Sequence, residues 1–250
     1  MQAVILAGGK GSRISELSHL TPKPLIEANG KPLIWYIMKH FETFGVNEFL
    51  VLGGYKCHKI KEYFRDYLLH ESDATFNLKD RSINFHDSST SNWKVTVLDT
   101  GLETMTGGRL LRASKYLEEE FFLTYGDGIS NVDLIQVKEL NQSSHSIATL
   151  TAVRPPARFG ALQISGNHVT EFEEKPSNDN SWINGGYMYV RKEILQYIDG
   201  DHVVLERDVL SKLAKNNELT QFTHSGFWQP VDTLRDLTQL EKYLIHDGSN

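Results

Sequence analysis

Apolar positions in this chain fall in short unbroken runs that alternate with stretches of helical spacing. Ala3 to Ala7 is one such run, halted by Gly8-Gly9, and predicts a buried strand over 2–7. Leu33, Ile34, Ile37, Met38, Phe41 and Phe44 recur at helical spacing and give way to Gly45, so a helix is expected over 31–44. A second apolar strand follows at 48–52, and Ile60, Tyr63, Phe64, Tyr67 and Leu68 mark another amphipathic helix. Strand, helix, strand, helix in this order gives right-handed βαβ units and a mainly parallel sheet. Further strands are expected at 94–98, 121–125, 147–153, 160–165, 168–173 and 186–191, and helices at 107–117, 133–142, 206–216 and 233–246. The late strands crowd together around turns such as Ser165-Gly166-Asn167, which makes the second half of the sheet mixed. The expected fold class is α/β, a mixed but mainly parallel central sheet flanked by helices.

Residues 70–93 break the pattern. Ser, Thr, Asn and Asp dominate 87–92, while Phe76, Ile83, Phe85 and Trp93 are scattered. This excursion reads equally as a hairpin or as a surface loop. Elsewhere, 250 residues with 40% hydrophobic and 23% charged content suit one large α/β domain. A net charge of −6 without a long basic run argues against nucleic acid as a partner. Cys57, the single cysteine, excludes an internal disulfide and a thiolate metal cluster, and fits a reducing compartment. No apolar stretch approaches a membrane span, and the N-terminal run is too short for a signal-peptide core, so a soluble cytoplasmic protein without membrane contact is expected. The ten histidines do not cluster at ligand spacing, and no zinc site is expected.

The chemistry gathers at strand ends. After the first strand come Gly8-Gly9-Lys10-Gly11-Ser12-Arg13 and then Pro22-Lys23-Pro24. Backbone N–H groups exposed by glycines, beside Arg13 and Lys23, make a cradle for a polyphosphate; a tight turn is the plainer reading of the glycines alone. The loop is neither a Walker A loop, since Gly11-Ser12-Arg13 lacks the Lys, nor a dinucleotide fingerprint, since Gly9-Lys10-Gly11-Ser12-Arg13-Ile14 lacks the third glycine that opens the helix. Phe121 to Gly128 is a buried strand ending in Asp127, placed either to hold Mg²⁺ or to cap a turn. Asp232 has two readings as well, a second metal carboxylate or a helix N-cap. Lys175, in Glu174-Lys175-Pro176, stands at a strand end as a point charge suited to a phosphate monoester, or as a solvated surface lysine. Thr100 and Gly101 end one strand before Met105-Thr106-Gly107-Gly108-Arg109, where backbone and hydroxyl groups can read a nucleobase edge. Ser12 has no His or Asp partner implied by the sequence, so a covalent hydrolase fits poorly.

Leu6-Ala7-Gly8-Gly9-Lys10-Gly11-Ser12-Arg13 followed by Pro22-Lys23-Pro24 resembles the signature of the sugar nucleotidyltransferases, the nucleotide-sugar pyrophosphorylases. The resemblance continues in order through Val97 to Gly101, Met105 to Arg109, Thr124 to Gly128, Arg158 to Leu162, Glu174 to Pro176, Asn184 to Gly186 and Gly226 to Asp236. It implies a Rossmann-like nucleotidyltransferase fold over 1–250, with a nucleotide half over about 1–130 and a sugar-phosphate half over about 131–250. It implies transfer of a cytidylyl group from CTP to glucose 1-phosphate, assisted by Mg²⁺ on Asp127 and Asp232. Arg13, Lys23 and Asp127 become catalytic. Leu6, Ala7, Gly8, Gly9, Gly11, Ser12, Thr100, Gly101, Thr106, Gly107 and Arg109 join them in holding the nucleotide. Arg109 on its own would read as a surface helix residue. Lys175 takes the sugar phosphate, while Glu174, Asn184, Gly185 and Gly160 meet the sugar. The resemblance also implies a homo-oligomer, with a hexamer as its size. Three rivals stay open: another base such as that of UTP or dTTP, another phosphate acceptor, and a non-catalytic binding domain that would be expected to lack some of these charged residues.

Overall fold

The computed structural model of the chain describes residues 1–11, 20–86, 91–155, 161–165, 168–173 and 182–246. Its first half runs β1 (Gln2–Ala7), β2 (Glu27–Ala28), β3 (Lys31–Pro32), α1 (Leu33–Thr43), β4 (Glu48–Gly53), α2 (Cys57–Arg65), α3 (Tyr67–Glu71), β5 (Asp73–Asn77), β6 (Ser82–His86), β7 (Lys94–Asp99), α4 (Thr106–Arg112) and β8 (Glu120–Tyr125). Its second half runs β9 (Gly128–Ser130), α5 (Leu134–Ser144), β10 (Ala148–Val153), β11 (Ala161–Ser165), β12 (His168–Glu173), β13 (Ile183–Arg191), α6 (Ser211–Lys215), β14 (Leu219–Thr223), β15 (Trp228–Pro230) and α7 (Leu234–His246). A π-helical segment, Leu205–Leu210, leads into α6.

Among the described residues the main sheet has seven strands in the order β14-β10-β13-β8-β1-β4-β7. β1 is paired in parallel on both sides, with β4 and β8, which is why its sequence is an unbroken apolar run. β13 runs antiparallel to β8 and β10, and the remaining pairs of this sheet are parallel. The sheet is thus mixed and mainly parallel, as the strand pattern predicts. Successive residues of β1 serve two cores. Ala3, Ile5 and Ala7 meet Ile34, Ile37, Phe41, Leu134, Val137 and Leu240 on one face. Val4 and Leu6 meet Leu110, Val203, Leu205, Val209 and Leu213 on the other.

α1 shows how local sequence sets an element. Leu33, Ile34, Ile37, Met38 and Phe41 are all buried, each worth about 1.5–3 kcal/mol of apolar transfer. The helix stops at Gly45, held at φ +74, where Gly45 N–H donates to the Glu42 carbonyl and Val46 N–H to that of Phe41, a Schellman end. The chain differs from the sequence pattern in several places, among them the short strands β2, β3, β9 and β15, which have no counterpart in it. The expected helix carrying Ile60 to Leu68 divides into α2 and α3, and the one at 206–216 into the π segment and α6. The excursion at 70–93 contains the hairpin β5–β6; its residues 87–90 lie outside the described set, as do Gly166 and Asn167. β14 is additional: a half-exposed edge strand, Leu219-Thr220-Gln221-Phe222-Thr223, too short and polar to announce itself. No helix among the described residues is long and apolar enough to cross a membrane.

Candidate active site

Two cavities open at the carboxyl end of β1 and β8, the end of a parallel sheet where ligands collect. The first, about 300 Å³, is lined by Leu6, Ala7, Gly8, Gly9, Gly11, Lys23, Pro24, Thr106, Arg109, Tyr125, Gly126, Asp127 and Asp232. The second, about 440 Å³, is lined by Thr124, Tyr125, Asp127, Gly128, Pro155, Ile183, Asn184, Gly185, Gly186, Tyr187, Trp228, Pro230 and Asp232. Tyr125, Asp127 and Asp232 belong to both.

Lys23 is the hub. Its Nζ donates to Asp127 Oδ2 and to Asp232 Oδ1, each at 2.7 Å, although the three residues are far apart in sequence. The Pro-Lys-Pro stretch explains its placement. Pro24 is the second residue of a single 3₁₀ turn, Lys23–Leu25, where its lack of an N–H donor costs nothing, and it packs on Gly126, where a Cβ would lie 2.7 Å from Pro24 Cγ. The carboxylates meet because β9 pairs with β15, setting Gly128 opposite Pro230, and Val231 N–H donates to the Asp127 carbonyl at 2.9 Å. The cap of α7 falls to Thr233 and Asp236: Asp236 Oδ2 accepts from the N–H groups of Asp232 and Thr233, and Thr233 Oγ1 accepts from Asp236 N–H. The Asp232 side chain therefore faces Lys23 instead of capping the helix. Two carboxylates converging on one point suit Mg²⁺, which completes its octahedron with water and substrate phosphates.

Arg109 is buried, only 4% exposed. Its Nη1 donates to the carbonyls of Gly53 (3.0 Å) and Gly101 (2.8 Å) and to Thr100 Oγ1 (2.7 Å), and its Nη2 to the Gly8 carbonyl (3.2 Å). One guanidinium thus ties together the loop after β1, the end of β4 and the loop after β7. Desolvation lowers its pKa, yet a guanidinium stays charged, so the cavity has a fixed cation in its wall. The two glycines of the first loop separate in role. A Cβ on Gly8 would sit 2.1 Å from the Arg109 guanidinium, whereas Gly9 faces open space.

The structure places three of the expected nucleotide residues behind this wall. Thr100 is buried with its hydroxyl on the Gly53 carbonyl, and Gly101 holds Arg109 through its own carbonyl. The Cβ position of Gly107 points at Val203, 2.9 Å from that residue's carbonyl oxygen. Thr106 lines the first cavity, and Asn184 and Gly185 line the second. Ser12, Arg13, Gly160, Glu174 and Lys175 lie outside the described residues. Tyr125 and Trp228 stand in the walls without having been singled out in the sequence, although both sit inside its motifs; Trp228 Nε1 donates to the Gly185 carbonyl at 2.7 Å.

The sequence profile of nucleotidyl transferases matches residues 2–246. The chain belongs to the nucleotidyl transferase family. Among its relatives, this nucleotidyl transferase is 45% identical to the glucose-1-phosphate cytidylyltransferases of Salmonella typhi and Salmonella typhimurium, each over 243 residues covering 96% of this chain and 95% of the relative. Its fold superposes on a UDP-glucose pyrophosphorylase solved with UDP-glucose, at a TM-score of 0.69 and 14% identity, covering 98% of both chains.

Proposed function

We propose that this chain transfers the cytidylyl group of CTP to glucose 1-phosphate, releasing pyrophosphate and CDP-glucose. The observation that carries this reading is the meeting of two cavities at one Lys23–Asp127–Asp232 cluster, in a chain 45% identical to cytidylyltransferases over nearly its whole length. The first cavity takes the triphosphate and the second the sugar phosphate, so the phosphate oxygen of one faces the α-phosphorus of the other. That nucleophile is already anionic, and no strong base is required; the work is positioning and neutralisation of charge. Mg²⁺ held by Asp127 and Asp232 would supply Lewis-acid neutralisation of the phosphate oxygens. Arg13 and Lys23 offset the charge of the triphosphate and of the departing pyrophosphate. Lys175 draws in the sugar phosphate, while Glu174, Asn184 and Gly160 meet sugar hydroxyls. Residues 1–250 act as one domain, its nucleotide and sugar-phosphate halves joined by the continuous sheet. The enzyme works in the cytoplasm, where CTP is made, and as a homo-oligomer.

A grid of four nucleoside triphosphates against several sugar 1-phosphates, read by pyrophosphate release with Mg²⁺, tests the assignment. CTP with glucose 1-phosphate should give the highest kcat/KM, because a hydrogen-bonded base site separates cytosine from uracil by up to about 10⁴. An equal or higher value with UTP or dTTP overturns the base, and silence of the whole grid overturns the activity.

A further inference from the structure

Between the two cavities stands a partition built around Tyr125, the last residue of β8. Its phenol donates to Glu206 Oε1 at 2.5 Å, and Tyr125 lines both cavities. Burial, and then the charge of Glu206, push the phenol pKa well above its ordinary value, so Tyr125 remains a donor. Its ring approaches Gly186, where a Cβ would come within 2.8 Å of Cδ2; with φ at +86, that position also favours glycine. The other oxygen of Glu206, Oε2, accepts from the Thr106 hydroxyl at 2.8 Å, and Thr106 Oγ1 accepts in turn from Leu205 N–H at 2.8 Å. Thr106 lines the nucleotide cavity and Asn184 the sugar-phosphate cavity. One hydrogen-bonded chain, Thr106–Glu206–Tyr125, therefore runs from the first cavity to a side chain that lines both. Glu206 sits in the first turn of the π-helical segment, a wide turn of the kind that recurs at functional sites.

We propose that Glu206 is a positioning residue for the transfer. By holding Tyr125 and Thr106 with its two oxygens, it fixes the partition and so the spacing of the two bound substrates. This rests on the two-substrate assignment of the cavities made above. A carboxylate accepting at both oxygens is more rigid than either hydroxyl alone, and in-line transfer between two anions tolerates little error: a shift of about 1 Å can cost roughly 10²-fold in rate. The role is geometric, since Glu206 reaches the site through Tyr125 and Thr106.

The test compares Glu206→Gln, Tyr125→Phe and the double variant with the wild type, using whichever triphosphate and sugar phosphate the wild type turns over best. Choosing the pair this way keeps a wrong base or acceptor from being mistaken for a wrong positioning role. Glu206→Gln keeps the volume but cannot accept at both positions, and Tyr125→Phe keeps the ring. Each single variant should lose about 10- to 100-fold in kcat, with each KM and the calorimetric Kd for the triphosphate alone moving less than about threefold. The double variant should be little worse than either single one, because both break the same chain. Thermal melting should stay within a few degrees of wild type. If Glu206→Gln does not fold, the same kcat-against-KM split is read from Tyr125→Phe. An unchanged kcat in a folded variant overturns the proposal. So does a loss that appears wholly as lowered melting temperature, or losses in the two single variants that multiply in the double one.

Discussion

At the residue scale, the site turns on one ammonium between two carboxylates. Lys23 is 12% exposed, and its partners Asp127 and Asp232 are 37% and 18% exposed, so water screens the cluster only in part. In the protein without ligand, Lys23 neutralises the carboxylates that would hold Mg²⁺. A divalent ion must therefore compete with a tethered cation, which a triphosphate can draw towards its own oxygens. Lys23→Met should let the protein without nucleotide bind Mn²⁺ about tenfold more tightly, read by electron paramagnetic resonance, while Asp127→Asn should weaken that binding by a similar factor. Unaltered Mn²⁺ affinity in Lys23→Met would show that the ammonium and the metal do not share the carboxylates. Individual residues differed in how far sequence revealed them. Lys23, Asp127 and Asp232 carried motifs. Arg109 did not disclose its burial, because its four acceptors come from three separate stretches of chain and none is acidic. Glu206 gave no signal at all, since its partners lie 81 and 100 positions away.

At the element scale, legibility followed burial and length. β1, β4 and α1 were clear because each fills its hydrophobic period. The three-residue strands β9 and β15 were not, yet their pairing brings Asp127 to Asp232. A three-residue strand has no period to read, and its stability comes from tertiary pairing. α1 also carries a titratable reporter of its own docking. His40 is held against Tyr187 and Phe44, and Nε2 donates to the Val132 carbonyl at 2.9 Å. Burial, as the largest cause, lowers its pKa from 6.5 to about 4. The unfolded chain takes up this proton near pH 6.5, whereas the folded one resists it until about pH 4. Stability is therefore lost as pH falls through that window, by about 2 kcal/mol between pH 6.5 and pH 5 from this histidine. Urea denaturation of wild type and His40→Gln at pH 7 and pH 5 checks it: the wild type should lose about 2 kcal/mol more than the variant. Equal losses would remove His40 as the cause.

At the scale of the whole molecule, the two cavities lie at the carboxyl end of β1 and β8, and the hairpin β5–β6 lines neither of them. Its register puts Phe76 opposite Ile83 and Ala74 opposite Phe85, so one face is apolar, and the other carries Asp73, Thr75, Asn77, Ser82, Asn84 and His86. The apolar face lies open: Phe76 is 55%, Ile83 45% and Phe85 37% exposed, with Leu78 at the tip 87% exposed. A two-stranded hairpin is marginally stable by itself in water, and contiguous exposed apolar side chains mark surfaces that associate. The even alternation explains why sequence left the segment undecided between hairpin and loop, since a period of two with no core beneath it gives no depth to the pattern. A two-fold contact between copies of one chain uses the same patch on both, and the homo-oligomer proposed above would place such a contact on this face. Sedimentation velocity at micromolar concentration should show an assembly for the wild type. Phe76→Ser with Ile83→Ser should shift it to a smaller species while each subunit keeps its far-ultraviolet circular dichroism. A change in size with unchanged circular dichroism would report the contact and not the hairpin. A wild type that sediments as a monomer, or a double variant that sediments as the wild type does, would take the hairpin out of the assembly.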